Sequence, residues 1–181
     1  AKAVMAFGGL DLLVSNAGMF PDATPLESIS DAAWSAVLGS NLDSHFKVLR
    51  AATPYLERGV HPAVAIVASK NVAAPGPGVA AYSVAKAGLT QLARVAALEL
   101  GERGVRVNVV HPDAVFDTEL WAGGKIEARA KSYGMTVEQY KSRNVLRREV
   151  RSRDVANIVA RLLSREFGVT TGAQIPIDGG N

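Results

Sequence analysis

Pro62-Ala63-Val64-Ala65-Ile66-Val67-Ala68-Ser69 is a short apolar run that ends in a hydroxyl. Without polar alternation it reads as a parallel strand buried on both faces. An irregular loop holding Pro75-Gly76-Pro77-Gly78 comes next. Tyr82-Ser83-Val84-Ala85-Lys86-Ala87-Gly88 then opens an Ala- and Leu-rich helix that reaches Leu100, with Gly101 and Gly104 behind it as stop signals. Gly104 to Val110 is another apolar run, ending at His111-Pro112-Asp113. Strand, helix and strand in this order make a βαβ unit and call for a parallel sheet.

The same grammar extends both ways. Leu10 to Val14 is an apolar run ending in Ser15-Asn16-Ala17-Gly18, a strand and its turn. Ser30-Asp31 supplies an N-cap and a first-turn acid. One long helix is expected from about 32 to 57, because Trp34, Val37, Leu38, Leu42, Phe46 and Leu49 recur at helical spacing. Pro54 is expected to end or bend its last turn. Residues 114–150 are the least regular stretch, with short helices expected near 124–132 and 136–142. Ser152-Arg153-Asp154 caps a further helix, and Ala173 to Ile177 is a last strand before Asp178-Gly179-Gly180. Strands alternating with helices make the fold class α/β with a parallel sheet.

Composition narrows the function. The chain has 181 residues, 48% hydrophobic and 20% charged, enough for one globular domain with a core. It has no cysteine, which excludes disulfides and thiolate chemistry and suits a reducing cytoplasm. No apolar run is long enough to span a bilayer, and no basic stretch followed by an apolar run opens the chain, so a signal peptide is not expected. The net charge is +3, and much of the basic excess lies between Arg143 and Arg153. Aromatic residues are not interleaved there and acids stand close by, so a solvated helix face is the expectation rather than a nucleic-acid surface; an anionic substrate group is a third reading. His45, His61 and His111 lack metal-ligand spacing and read as ordinary packing or surface residues. The first nine residues read as a helix tail running into a strand, and the chain is expected to be a piece of a longer polypeptide.

Ligands in open α/β sheets collect at the carboxyl ends of the strands. That rule brings together Asn16-Ala17-Gly18, Ser69, the Tyr82 helix start and Pro112-Asp113-Ala114-Val115. Tyr82 and Lys86 are four apart and share a helix face. A phenol has a pKa near ~10 and is a poor base at neutral pH, but a fixed ammonium beside it would lower that value.

On these residues the chain resembles the C-terminal portion of a short-chain dehydrogenase/reductase, which implies a Rossmann-like doubly wound parallel sheet, N-terminally truncated, with about four strands remaining in chain order. The resemblance lies in Asn16-Ala17-Gly18, Asn41 in its helix, Ser69 thirteen residues before Tyr82, Tyr82-x-x-x-Lys86 with Ala87-Gly88, Asn108 to Pro112, and Thr171-Gly172 with Asp178-Gly179-Gly180. It implies catalytic roles for Asn41, Ser69, Tyr82 and Lys86. Ser69 would orient the substrate oxygen and Tyr82 exchange the proton. Lys86 would lower the Tyr82 pKa and hold the ribose, and Asn41 would hold a water. NAD or NADP is the implied cofactor, bordered by Asn16, Ala17, Gly18, Tyr82, Lys86, Pro112, Asp113, Ala114 and Val115. The implied partner is a small alcohol or aldehyde, with self-association into a homodimer or homotetramer through the helices at 31–57 and 82–100, and neither nucleic acid nor membrane.

Two departures stand out. Where the family has a Pro-Gly, this chain has Pro112-Asp113, and Asp117 occupies the slot of a family threonine, with Thr118 one further on as a candidate ligand for the carboxamide. Asp113 is expected either to change the charge beside the ring or to turn outward in an Asx-type turn. This segment, with Trp121 and Arg129 to Gly134, resembles a narrower group, the dehydrogenase half of bifunctional rhamnulose-1-phosphate aldolase/short-chain dehydrogenases. That likeness implies lactaldehyde as substrate. The family's Gly-rich pyrophosphate turn has no counterpart here, so this chain alone is expected to be weak or inactive. Two other readings stand beside the enzyme: a non-catalytic domain retaining the site, and a basic nucleic-acid-binding module. Residues 114–150 are the expected substrate lid.

Overall fold

Four strands form the centre of this computed structural model, which describes residues 2–181. They are β1 (Leu12–Ser15), β2 (Ala63–Val67), β3 (Arg106–Pro112) and β4 (Gln174–Ile177). All pair in parallel, in the order β1-β2-β3-β4, which is also their order along the chain. Parallel neighbours need long crossovers, and the helices supply them. They are α1 (Lys2–Phe7), α2 (Asp31–Leu38), α3 (Ser44–Leu56), α4 (Ala80–Gly101), α5 (Lys125–Ser132), α6 (Val137–Lys141) and α7 (Ser152–Leu163).

The sheet is covered on both faces. Leu49 and Leu56 of α3 and Leu89, Ala93 and Leu100 of α4 meet Val64, Ile66, Val107 and Val109. Val159 and Leu162 of α7 meet Ala65 and Val110 from the other side. Each such fully buried aliphatic side chain contributes roughly 1.5–3 kcal/mol. The ends of α7 are fixed by polar side chains. Asp117 accepts from Ser152 N (2.8 Å) and Ser152 Oγ (2.7 Å) at the start. The Arg106 guanidinium donates to the carbonyls of Leu162, Leu163 and Ser164 at the end. At the sheet's other limit, β1 has one neighbour among the described residues, and Leu12 and Val14 are 47% and 50% exposed.

The expected single helix over 32–57 is interrupted. Between α2 and α3, residues Gly39–Asp43 form a π-helical turn, and Asn41 lies inside it, fully buried. Its Nδ2 donates to Val37 O at 3.0 Å, taking the carbonyl that an α-helical N–H would use. A side chain inserted into the ladder widens the turn. Apolar periodicity could not reveal this, because a π-turn shifts the phase by only one residue. Gly88 of α4 packs against the same turn: a Cβ there would come within 3.2 Å of Leu42 Cδ2. The basic stretch after Arg143 is not a helix face either. Residues 143–150 form a loop in which the Asn144 amide bonds both N and O of Arg148, and Arg147 has φ +52°.

Candidate active site

β2 and β3 bring Ser69 and Asp113 to one edge of the sheet, and α4 starts beside them. Ser69 follows β2 in extended conformation, and its Oγ accepts from Asn71 N at 3.2 Å. Its carbonyl accepts from His111 Nδ1 at 3.0 Å, which ties the ends of β2 and β3 together. A carbonyl only accepts, so Nδ1 carries the proton and buried Nε2 is left without a partner.

Tyr82 stands in the first turn of α4, partly buried, with Phe20 edge-on at 4.8 Å between ring centroids. One helical turn later, Lys86 Nζ lies 5.8 Å from the centre of the Tyr82 ring. Lys86 is 4% exposed and donates to Val67 O at 3.0 Å. Burial pushes its ammonium down to about 8. Burial pushes the Tyr82 phenol up, and the nearby Ser69 hydroxyl opposes that rise. Lys86 was expected to lower the Tyr82 pKa. Here desolvation sets the direction, because it disfavours the charged form of both groups.

Asn41 meets the turn after β1. Its Oδ1 accepts from Met19 N (3.2 Å), and its Nδ2 donates to Met19 O (3.0 Å). A Cβ on Gly18 would lie 2.7 Å from Asn41 Oδ1 and 3.7 Å from Lys86 Nζ, so only glycine permits this approach. The Asn41 side chain thus bonds backbone groups of Val37 and Met19, beside the turn that Asn16, Ala17 and Gly18 present at the surface.

His45 holds that turn from below. It is 2% exposed, with Ser15 Oγ 2.6 Å from Nδ1 and Ala17 O 2.7 Å from Nε2. Nε2 must donate to the carbonyl, so Nδ1 accepts from Ser15. Burial, and secondly the Lys86 charge, lower the His45 pKa. This packing role agrees with the plain reading of His45, but its link to the site was not visible: nothing in the spacing joins residues 15, 17 and 45.

Asp113 does not turn outward. Its Oδ2 accepts from Asn181 Nδ2 at 2.6 Å and lies 3.7 Å from Lys70 Nζ and 3.5 Å from an Arg143 nitrogen. Asp117 points elsewhere, to the start of α7, and Thr118 Oγ1 donates to Val115 O at 2.8 Å. Phe116, Ala130 and Tyr140 form a small core of their own with Trp121 against it. Phe20, Lys70 and Arg143 are the neighbours of the site that sequence reasoning missed or read otherwise.

Ser69, Tyr82 and Lys86 therefore form one constellation with a hydroxyl, a neutral phenol and a buried ammonium. Such a group can bind a carbonyl or alcohol oxygen and move one proton. Among the described residues, no cluster of acidic, cysteine or histidine side chains could hold a metal ion, and no helix is long and apolar enough to cross a membrane.

A family model described as enoyl-(acyl carrier protein) reductase matches residues 1–181. The chain is 35% identical to "Uncharacterized oxidoreductase YuxG" of Bacillus subtilis (strain 168), over 99% of this chain and 27% of that protein. It is 31% identical to "Dehydrogenase/reductase SDR family member 4" of Homo sapiens, over 99% of this chain and 62% of that one. The chain thus spans less than two thirds of either relative. Among solved structures, carveol dehydrogenase from Mycobacterium avium in complex with NAD superposes with a TM-score of 0.89 at 27% identity, over 99% of this chain and 67% of that one. With the parallel sheet and the Ser69, Tyr82 and Lys86 edge, these matches show that the chain belongs to the short-chain dehydrogenase/reductase family.

Proposed function

We propose that the chain carries the substrate half of an oxidoreductase that moves hydride between NAD or NADP and a small alcohol or aldehyde. The observation that carries this reading is the meeting of Ser69, Tyr82 and Lys86 at one sheet edge. When bound, the nicotinamide supplies or accepts the hydride. The residues fit such a group. Lys86 spends one of its three N–H donors on Val67 O, leaving two for ribose hydroxyls. Asn16 to Gly18 and Pro112 to Val115 border the same space. Ser69 Oγ holds the substrate oxygen, and the Tyr82 hydroxyl gives or takes its proton. Asn41 serves by fixing the Gly18 turn.

Three finer points belong to this proposal. The segment 114–150 covers the substrate, supported by its own aromatic core around Phe116 and Tyr140. The protein self-associates through α3 and α4, where Phe46, Val48, Val84 and Leu98 are exposed; a monomer by light scattering at high concentration would count against it. The chain works inside a longer protein, with lactaldehyde among its candidate substrates. Most of the Bacillus relative lies outside the match, which supports a two-part parent.

The test is a screen of the full-length parent protein with NAD and NADP against small hydroxyaldehydes, lactaldehyde included. Cofactor-dependent turnover that disappears in Tyr82→Phe is expected. Equal activity in Tyr82→Phe would overturn the assignment.

A further inference from the structure

Three cations surround the carboxylate of Asp113 and the rings of two tyrosines. Lys70 directly follows Ser69, and its ammonium lies 3.7 Å from Asp113 Oδ2. Arg143 shares that oxygen at 3.5 Å and stacks 4.7 Å from the centre of the Tyr140 ring. Arg129 lies 5.4 Å from the Tyr133 ring, which Arg143 also faces at 5.5 Å. A nitrogen of Arg129 would also stand 3.3 Å from a Cβ on Gly76, in the loop between Ser69 and Tyr82. The cluster thus touches the chain between Ser69 and Tyr82 at Lys70 and at Gly76.

Among the described residues, Asp113 is the one carboxylate that Lys70 and Arg143 meet within 4 Å, and Arg129 meets none. The groups are not freely solvated: the side chains of Lys70, Asp113 and Arg143 are only 15%, 18% and 23% exposed. Like charges gathered out of water cost free energy unless an anion joins them. The pairing with Asp113 is also loose, since charge-assisted N–H···O contacts close to about 2.7–2.9 Å. Arg143 has five N–H donors and makes one long contact with Asp113. Contact with the rings of Tyr133 and Tyr140 restricts where the two guanidinium groups can lie.

We propose that Lys70, Arg129 and Arg143 form an oxyanion subsite, and that the substrate is an alcohol or carbonyl compound bearing a phosphate or carboxylate. Asp113 is a positioning residue that holds Lys70 and Arg143 apart and in place. Calling the ligand the substrate rests on the oxidoreductase reading; the anion site itself does not. It also departs from the uncharged lactaldehyde that the narrower resemblance implies.

The test separates the two ideas. Inorganic phosphate and acetate are titrated into the protein by calorimetry, alone and with saturating NAD. Saturable binding that survives NAD is expected, weakened about tenfold in Arg143→Gln, with Arg129→Gln as a second variant on another element of the cluster. Tighter phosphate points to phosphorylated substrates and tighter acetate to carboxylated ones, and either supports the subsite. Binding that is absent, unchanged in both variants, or displaced by NAD overturns it. The kcat/KM for glycerol 3-phosphate against glycerol then reads the substrate claim. Anion binding by a full-length parent that turns over neither these alcohols nor the hydroxyaldehydes would sink the oxidoreductase reading and leave the subsite standing.

Discussion

Lys86 Nζ donates a hydrogen bond to the carbonyl oxygen of Val67, the last residue of β2, at 3.0 Å. The bond joins α4 to the strand that delivers Ser69. It fixes the ammonium one turn below Tyr82, where the side chain is 4% exposed.

That burial has a pH signature. Burial holds the folded Lys86 ammonium down at about 8, against 10.5 for a solvated lysine. Between these values the unfolded chain holds the extra proton, so stability rises with pH. The gain approaches roughly 3 kcal/mol by pH 10. Above pH 10 the raised Tyr82 works the other way: the unfolded phenol ionises first and stability falls. Urea unfolding at pH 7.5 and 9.5 checks the sign, and Lys86→Met should flatten the difference. A wild-type protein no more stable at pH 9.5 would refute it.

Tyr82→Phe keeps the ring against Phe20 and removes the proton. Turnover should fall by about 10²–10⁴-fold. NAD affinity, measured by fluorescence titration, should change little. Retained turnover would move the proton transfer to another group.

Asn41→Ala should be costly. It removes the partner of Met19 N, Met19 O and Val37 O, and opens space in a fully buried position. Unsatisfied backbone groups and a cavity together cost about 2–4 kcal/mol. A loss below 1 kcal/mol by denaturant titration would mean that water replaces the amide.

Gly18→Ala tests the same contact from the other side. A Cβ would sit 2.7 Å from Asn41 Oδ1, so the turn must shift, at about 1–3 kcal/mol. In an Asn41→Ala background the clash is gone. The two losses should therefore be less than additive. Strict additivity would show that the contact is not what constrains Gly18.

Much of this architecture could be read along the chain. The apolar runs before Ser15, Ser69 and His111 became parallel strands because they lack alternation, and Tyr82 to Leu100 became α4 because its composition favours nothing else. Ser69, Tyr82 and Lys86 were legible because a strand end, a helix start and a four-residue helical step are all local geometry. The π-turn at Asn41 was not legible, since it depends on a side chain competing for the Val37 carbonyl. His45 was not legible either, because its partners Ser15 and Ala17 reach it only across the β1–α3 interface.

Asp113 draws the line between the two kinds of information. Its departure from the family glycine was evident from position alone. Its direction was decided in three dimensions by Lys70, Arg143 and Asn181, which come from separate stretches of chain. The same division holds for Lys86. The four-residue step from Tyr82 set its face of the helix, whereas its lowered pKa comes from burial against β2. Local sequence determines backbone periodicity, and through it which residues arrive at the sheet edge. Solvation and ion pairing depend on what surrounds each group from distant segments, and only the folded chain supplies those neighbours.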